Sequence, residues 1–186
     1  MNKSNQITGK ERFFDEDDII VSKTDLKGRI TYANRVFLEI ADYTEEEVLG
    51  QPHAMIRHPH MPRSVFKLLW DTIQSGHEIF AYVVNRTKNG DHYWVLAHVT
   101  PSFDADGKID GYHSNRRVPD RQIIDGTIKP LYAKILAEEE RHHDRKAGLQ
   151  AGYLMLTGLL EQQGVDYDQF IAALTNGRDS HFKTAA

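Results

Sequence analysis

Two stretches of alternating apolar residues, joined by a tight-turn sequence, lie in the middle of the chain. They run from Ile79 to Arg86 and from Asp91 to Pro101, and the Asn-Gly pair at 89–90 favours a hairpin turn between them. A third strand, from Ile109 to Val118, is predicted after the Asp106-Gly107 turn. Three successive antiparallel strands are typical of a sheet that is covered on one face by helices.

The residues before these strands predict a second hairpin and one long helix. Residues 19–32 hold two short apolar strands around a turn at Gly28, and only short helical signals follow between 33 and 62. Pro62 then opens a helix that ends before Gly76. Its apolar positions recur at helical spacing, at Phe66, Leu69, Trp70 and Ile73. We predict an α+β fold with a five-stranded antiparallel sheet, short helices and one connector helix on one face.

From Pro119 onward the pattern becomes helical. A first apolar stripe is expected to kink or begin at Pro130; it comprises Ile124, Ile128, Leu131 and Ile135. A second stripe ends near Gly164 and comprises Leu149, Tyr153, Leu156 and Leu160. Asp166 and Gln169 predict a capping box for a third helix. We therefore divide the chain into a flexible leader (1–14), an α+β domain (15–119) and a helical C-terminal extension (120–186).

Composition excludes several classes of function. The net charge of −4 gives no electrostatic reason to expect nucleic acid, and the absence of cysteine excludes disulfides and thiolate metal sites. The N-terminal residues lack the apolar core of a signal peptide, and no stretch reaches the ~20 apolar residues that cross a bilayer. We expect a cytoplasmic protein without membrane insertion, in which any redox chemistry belongs to a bound cofactor.

Three segments carry a resemblance to a known family: TYAN at 31–34, GQPHAMIRHPHMP at 50–62 and NRTKNGDHYWV at 85–95. Together they resemble PAS domains, and most closely the flavin-binding PAS domain of bacterial aerotaxis receptors. The resemblance covers roughly residues 18–120. It implies the PAS fold followed by a C-terminal helical extension, and it implies that FAD is held without a covalent bond.

The resemblance also implies a set of cofactor contacts. The family's contact positions carry over to Asn34, Arg57, His58 and Asn85, with Trp70, Phe80, Met55 and Ile56 as candidate walls. An amide such as Asn85 both donates and accepts hydrogen bonds, which suits the pyrimidine edge of a flavin. Arg57 would place a positive charge near the flavin or its pyrophosphate. The full set of candidate cofactor-binding residues is Asn34, His53, Arg57, His58, His60, Trp70, Phe80 and Asn85.

The sequence departs from the family pattern at two of these positions. The family usually has an acidic residue in place of His60 and a tryptophan in place of Phe80. Because a titratable ring replaces an anion at His60, cofactor affinity or potential is expected to differ. The family's light-sensing members carry a reactive cysteine near the position of His53. A chain without cysteine cannot form that flavin adduct.

Other interpretations of the same residues remain open. Haem bound through a histidine is the alternative cofactor, and a PAS module that dimerises without any cofactor is a further alternative. His53, His58 and His60 lie within eight residues, but Pro52 and Pro59 deny them the regular backbone that aims metal ligands, so we assign no metal site. An enzyme has little support, because the sequence lacks a phosphate-binding loop and a nucleophile motif.

The sequence therefore predicts a PAS sensor that binds FAD and responds to redox state or oxygen-linked energy status. Aerotaxis receptors join their PAS domain to a membrane anchor and a signalling domain, neither of which this sequence contains. We expect the output to pass through the C-terminal helices, a homodimer, or a chemotaxis or other signalling partner.

Overall fold

The computed structural model describes residues 7–176. They form two compact units. One consists of the described chain up to His58 together with Thr72–Val118, and the other of Pro59–Asp71 together with the described chain from Pro119 onward. The change of pattern at Pro119 coincides with a unit boundary. The grouping of Pro59–Asp71 with the C-terminal helices has no signal in the sequence pattern.

The first unit contains a five-stranded antiparallel sheet. Its strands are β1 (Ile20–Thr24), β2 (Ile30–Ala33), β3 (Ile79–Arg86), β4 (His92–Phe103) and β5 (Ile109–Arg117). They lie in the order β2-β1-β5-β4-β3. The predicted fold class is confirmed, and β3 begins and ends at the predicted residues. Trp94, in the middle of the β4 sequence, is buried within the single chain.

Short helices connect the two halves of this sheet. They are α1 (Arg35–Ala41), α2 (Glu45–Val48) and a 3-10 helix (His53–Ile56), followed by α3 (Arg63–Gln74). The connector helix α3 lies where Pro62 and Gly76 predict it. Its fully buried apolar positions are Val65, Leu69 and Ile73, whereas Phe66 and Trp70 are only partly buried. The buried stripe is therefore rotated from the predicted one.

Residues 8–12, which the sequence assigns to the flexible leader, are part of the fold. The backbone of this segment bonds along the start of β4, and Arg12 N donates to the carbonyl oxygen of His92 at 2.7 Å. The buried carboxylate of Asp91 accepts hydrogen bonds from Thr8 Oγ1 at 2.6 Å and Arg12 Nε at 2.9 Å. The segment buries few apolar atoms, so apolar patterning misses it; backbone pairing and one carboxylate hold it instead.

The second unit is helical. It contains α4 (Arg121–Ile123), a π-helical turn (Ile124–Ile128), α5 (Lys129–Glu140), α6 (Arg145–Gln162) and α7 (Tyr167–Thr175). Pro130 lies in the first turn of α5, as predicted. Proline has no backbone N–H, and the π-helical turn ends directly before this helix begins. The capping box of Asp166 and Gln169 is confirmed at the start of α7.

The buried stripe of α6 differs from the predicted one. It consists of Gly148, Gly152, Leu156 and Leu160, while Leu149 and Tyr153 are only partly buried. These glycines lie against Glu139 of α5, where there is no room for a larger side chain. A β-carbon at Gly152 would lie 2.6 Å from Glu139 Cγ. Apolar periodicity cannot detect such a face, because glycine carries no apolar side chain.

Candidate functional site

The strand register of the first unit places five polar side chains on one face of the sheet. Ser22 of β1 is paired with Ser114 of β5, Ala97 of β4 with Arg116 of β5, and Asn85 of β3 with Tyr93 of β4. Paired residues point to the same side, so these residues share one face, which we call the inner face. The buried polar side chains on it include Ser22, Asn85, Tyr93, Ser114 and Arg116.

Small apolar residues separate these polar groups. The middle of the inner face is formed by Ala81, Val83, Val95 and Ala97, all of them buried. Because these side chains are short, they form a flat apolar floor. The polar side chains of β3 and β4 lie on one side of this floor, and those of β5 and β1 lie on the other. Such a floor with a few convergent polar groups is typical of a site for a flat organic ligand.

Arg116 is the charged group of this face, and only 3% of its surface is exposed. Its Nη2 donates to Ser22 Oγ at 2.8 Å and lies 2.7 Å from Nε2 of His53. The guanidinium also lies 5.7 Å from the ring centre of Phe37. Burial lowers the pKa of Arg116 to about 10, which leaves the side chain protonated at neutral pH.

His53 is positioned by the turn between β1 and β2. It begins the 3-10 helix, and its backbone N donates to the carbonyl oxygen of Gly28 at 2.8 Å, which ties the segment to the β1–β2 turn. Burial, reinforced by the Arg116 charge, lowers the pKa of His53 to about 3. The ring is therefore neutral, and because Arg116 only donates, His53 Nε2 accepts and Nδ1 carries the proton.

Several buried polar atoms of the inner face lack a hydrogen bond. Within the described part of the chain, no partner meets hydrogen-bond geometry for Asn85 Nδ2, Tyr93 Oη, Ser114 Oγ or Arg116 Nη1. Burial raises the pKa of Tyr93, an effect that Arg116 and Asn85 only partly oppose, so its hydroxyl is protonated. Each unpartnered buried group costs about 1–3 kcal/mol, and native proteins rarely tolerate several on one face without a ligand or water.

These atoms fit a flavin. They present amide and guanidinium donors together with two hydroxyls, each of which both donates and accepts, around an apolar floor. The heterocyclic edge of a flavin needs that mixture of donors and acceptors, and its ring needs a flat apolar surface. The residues that would hold it are Asn85, Tyr93, Ser114 and Arg116, supported by Ser22 and His53.

Three of the other predicted residues belong to the same unit as this face. Arg57 pairs through its backbone with Asn85, which attaches the end of the 50–57 segment to β3. His58 is buried, with its ring centre 5.4 Å from that of His92. The side chain of Asn34 already has a structural role: it accepts from Val21 N and Phe37 N and donates to the Ile19 carbonyl, joining β1 to α1.

The remaining predicted residues lie elsewhere. Phe80 is on the opposite face of the sheet, 41% exposed, and stacks on His98 with 4.1 Å between ring centres. Its neighbour Ala81, and not Phe80, lies on the inner face. His60 is exposed, and both His60 and Trp70 belong to the segment that groups with the helical unit.

Sequence reasoning missed four residues of the inner face: Ser22, Tyr93, Ser114 and Arg116. Alternation along β5 groups Ser114 with Arg116, but it does not say which side of the strand is buried. The registers of β1 on β5 and of β5 on β4 connect residues far apart in the chain. Local patterns therefore give no signal for the contact between Arg116 and His53.

A surface cleft of about 630 Å³ lies along the N-terminal segment of the same unit. Its lining includes Arg12, Phe14, Val36, Ile40 and Asp91. The buried charge in it is already paired, since Asp91 accepts from Thr8 and Arg12, a pairing that lowers its pKa to about 2. This cleft therefore offers a weaker candidate site than the inner face.

Two further properties concern residues 7–176. None of their helices combines the length and apolar character needed to cross a membrane. Their histidine, aspartate and glutamate side chains nowhere gather in a group of three or more that suits a metal ion.

Comparison with known proteins finds similarity over part of the chain. Residues 30–116 match the family described as PAS fold. The aerotaxis receptor of Escherichia coli (strain K12) is 44% identical over 123 residues, which cover 66% of this chain and 24% of the receptor. Phototropin-1A of Oryza sativa subsp. japonica is 30% identical over 80 residues, covering 43% of this chain and 9% of the phototropin. The chain thus spans a quarter or less of the length of these relatives.

A solved structure supports the same relationship. The light-state structure of the blue-light photoreceptor Aureochrome1 LOV is 25% identical, with a TM-score of 0.50. The alignment covers 66% of this chain and 91% of the photoreceptor domain.

Proposed function

The chain carries a PAS domain over residues 30–116, and we propose that this domain binds FAD without a covalent bond and reports the redox state of its surroundings. The proposal includes oxygen-linked energy status as the physiological signal and the cytoplasm as the location. No catalytic turnover is part of it.

The observation that carries the proposal is the set of buried, unpartnered polar atoms on the inner face of the sheet. Asn85 Nδ2 and Arg116 Nη1 are donors, and the hydroxyls of Tyr93 and Ser114 both donate and accept. The 44% identity to an aerotaxis receptor supports a redox-linked signal. A bound flavin would supply the two-electron redox couple that a chain without cysteine does not have.

Residues of the sheet would respond to a change in the charge of the ligand. Asn85 lies on β3 and Arg116 on β5, so a ligand that gains or loses charge changes hydrogen bonding on both sides of β4. β5 ends at Arg117, and the helical unit begins only two residues later at Pro119. We infer that output leaves through the C-terminal helices, and then through a homodimer or a chemotaxis or other signalling partner.

Haem is less well supported than flavin. Haem ligation requires a histidine nitrogen that is open to iron, and Nε2 of His53 is held by Arg116 and Ser22. Hydrogen-bonding groups on a flat apolar floor match a flavin edge better than the largely apolar surface of a porphyrin.

The test is the visible absorption spectrum of the purified protein, followed by chromatography of whatever a denaturant releases. A two-band flavin spectrum with FAD released supports the proposal, and reductive titration then tests the redox response. Release of FMN retains a flavin but excludes the dinucleotide. A Soret band supports haem instead. A colourless protein that takes up no added FAD contradicts the proposal and favours a cofactor-free dimerisation module.

A further inference from the structure

Arg116 is a buried cation without a buried anion beside it. Its hydrogen-bonding partners, Ser22 and His53, are both neutral. Tyr93, the other titratable group facing it, is held in its neutral form by burial. Within residues 7–176, no aspartate or glutamate forms an ion pair with Arg116. The inner face therefore carries one uncompensated positive charge.

Within residues 7–176, the two other buried carboxylates are both paired with an arginine. Glu139 in the helical unit is 2% exposed and accepts four hydrogen bonds, two of them from Arg63 and two from Ser64. Asp91 in the PAS unit is paired with Arg12. Because isolating a charge in a protein interior is costly, the absence of an anion at Arg116 indicates that something outside the protein chain supplies the negative charge.

The local contacts hold the guanidinium in one orientation. A single nitrogen, Nη2, serves both Ser22 Oγ and His53 Nε2, so these two residues fix the side chain from one side. Nη1 is buried and has no partner in the described chain. A guanidinium presents its donors in a rigid planar fork, so fixing Nη2 also fixes the direction in which Nη1 donates.

We propose that Arg116, positioned by His53 and Ser22, is the residue that recognises the negatively charged edge of the ligand, so that the site binds the reduced, anionic form of FAD more tightly than the oxidised form. This inference rests on the proposed function and deepens it. It assigns the role of the redox-tuning charge to Arg116, whereas the family resemblance assigned a fixed positive charge near the cofactor to Arg57.

The test compares Arg116→Met, Arg116→Lys and Arg117→Gln, each reconstituted with FAD. Arg117 is the matched control, because it follows Arg116 in β5 but is exposed. Two quantities are measured for each protein: the dissociation constant of oxidised FAD, and the midpoint potential against a reference dye. Methionine fills much of the volume of arginine without charge, and replacing a buried charge by an apolar residue is usually tolerated by the fold.

Arg116→Met is expected to weaken binding of reduced FAD at least tenfold more than binding of oxidised FAD. For a two-electron couple, tenfold corresponds to about 30 mV of lower potential. Arg116→Lys keeps the charge and should recover most of that potential, although it loses the second donor and binds FAD more weakly. Arg117→Gln should change neither quantity.

The wild-type protein provides a test that does not depend on how any variant folds. Bound FAD should have a higher potential than free FAD at the same pH; an equal or lower potential overturns the inference. An unchanged potential in Arg116→Met, with FAD still bound, overturns it too. If the wild-type protein takes up no FAD at all, the proposed function fails first, so the two failures are distinguishable.

Discussion

Asn85 illustrates how a strand residue acquires a ligand-binding role. It is buried at the end of β3, opposite Tyr93, and the backbone of Arg57 pairs with it. A buried amide that forms no hydrogen bond through its nitrogen destabilises the folded protein until a ligand accepts that bond. The residue is therefore expected to strengthen ligand binding at the expense of stability without the ligand.

Replacing Asn85 with alanine tests this role. We expect the affinity for FAD to fall about tenfold, because one hydrogen bond to the ligand contributes about 1–1.5 kcal/mol. The stability of the FAD-free protein should change little, because removal of a buried amide nitrogen without a partner offsets the loss of packing. Titration calorimetry and thermal melting measure the two quantities.

Asn115→Ala is the matched control, because Asn115 lies on β5 between Ser114 and Arg116 and so points to the opposite face. It should leave FAD affinity unchanged. Equal losses of affinity in the two variants would show that the inner face has no special role.

His53 contributes a pH dependence of stability with a defined sign. Its folded-state pKa of about 3 lies below the usual value of 6.5. Between these values the unfolded chain binds a proton that the folded protein does not, so stability falls as pH decreases from 6.5. This one group changes the free energy of unfolding by at most about 1.4 kcal/mol per pH unit.

His53→Gln removes the titration but keeps an acceptor for Arg116. The free energy of unfolding of the FAD-free protein is measured with urea at pH 6.5 and at pH 4.5. Its decrease between these two pH values should be about 2 kcal/mol smaller in this variant than in the wild type. His143→Gln, at an exposed position, serves as the control and should follow the wild type. A variant whose pH dependence matched the wild type would show that His53 is not buried in its neutral form.

At the scale of elements, the sequence predicts what local patterns encode. Alternation and turn residues placed β3, β4 and β5, and Pro62 with Gly76 placed α3. Burial faces were predicted less well. The buried positions of α3 and the glycine face of α6 depend on which neighbour each helix meets, and Phe80 was assigned to the site although it lies on the opposite face of the sheet. Of the candidate site, Asn85 could be predicted, but Arg116 depends on strand register.

The glycine face of α6 leads to a prediction about packing. A β-carbon at Gly148 would overlap the carbonyl oxygen of Glu139, and one at Gly152 would lie 2.6 Å from Glu139 Cγ. We expect Gly148→Ala and Gly152→Ala each to destabilise the helical unit by about 1–3 kcal/mol. The α5 backbone must move in the first variant, and the buried side chain of Glu139 must move in the second. Thermal unfolding followed by circular dichroism measures the loss.

Gly158→Ala is the control on the same helix, since nothing lies within 4 Å of its β-carbon position. Alanine there should stabilise the helix by up to about 1 kcal/mol through its higher helix propensity. If all three substitutions had the same effect, close packing against Glu139 would not explain the glycines.

At the scale of the whole molecule, the two units divide the work of sensing and output in the proposed function. The first unit contains the inner face, with its uncompensated charge at Arg116. The helical unit contains a fully paired buried carboxylate at Glu139, which joins residues of α3 to α5. The sequence alone indicated a division at Pro119, but it did not indicate that Pro59–Asp71 belong with the helices.

The most direct measurement is a nuclear magnetic resonance titration of the labelled, FAD-free protein with FAD, following side-chain nitrogen signals. The account predicts large shifts for the Asn85 amide and the Arg116 guanidinium, and little change for the Asn115 amide on the opposite face. Shifts confined to Asn115 and to residues around Phe80 and His98, with Asn85 and Arg116 unaffected, would contradict an inner-face flavin site.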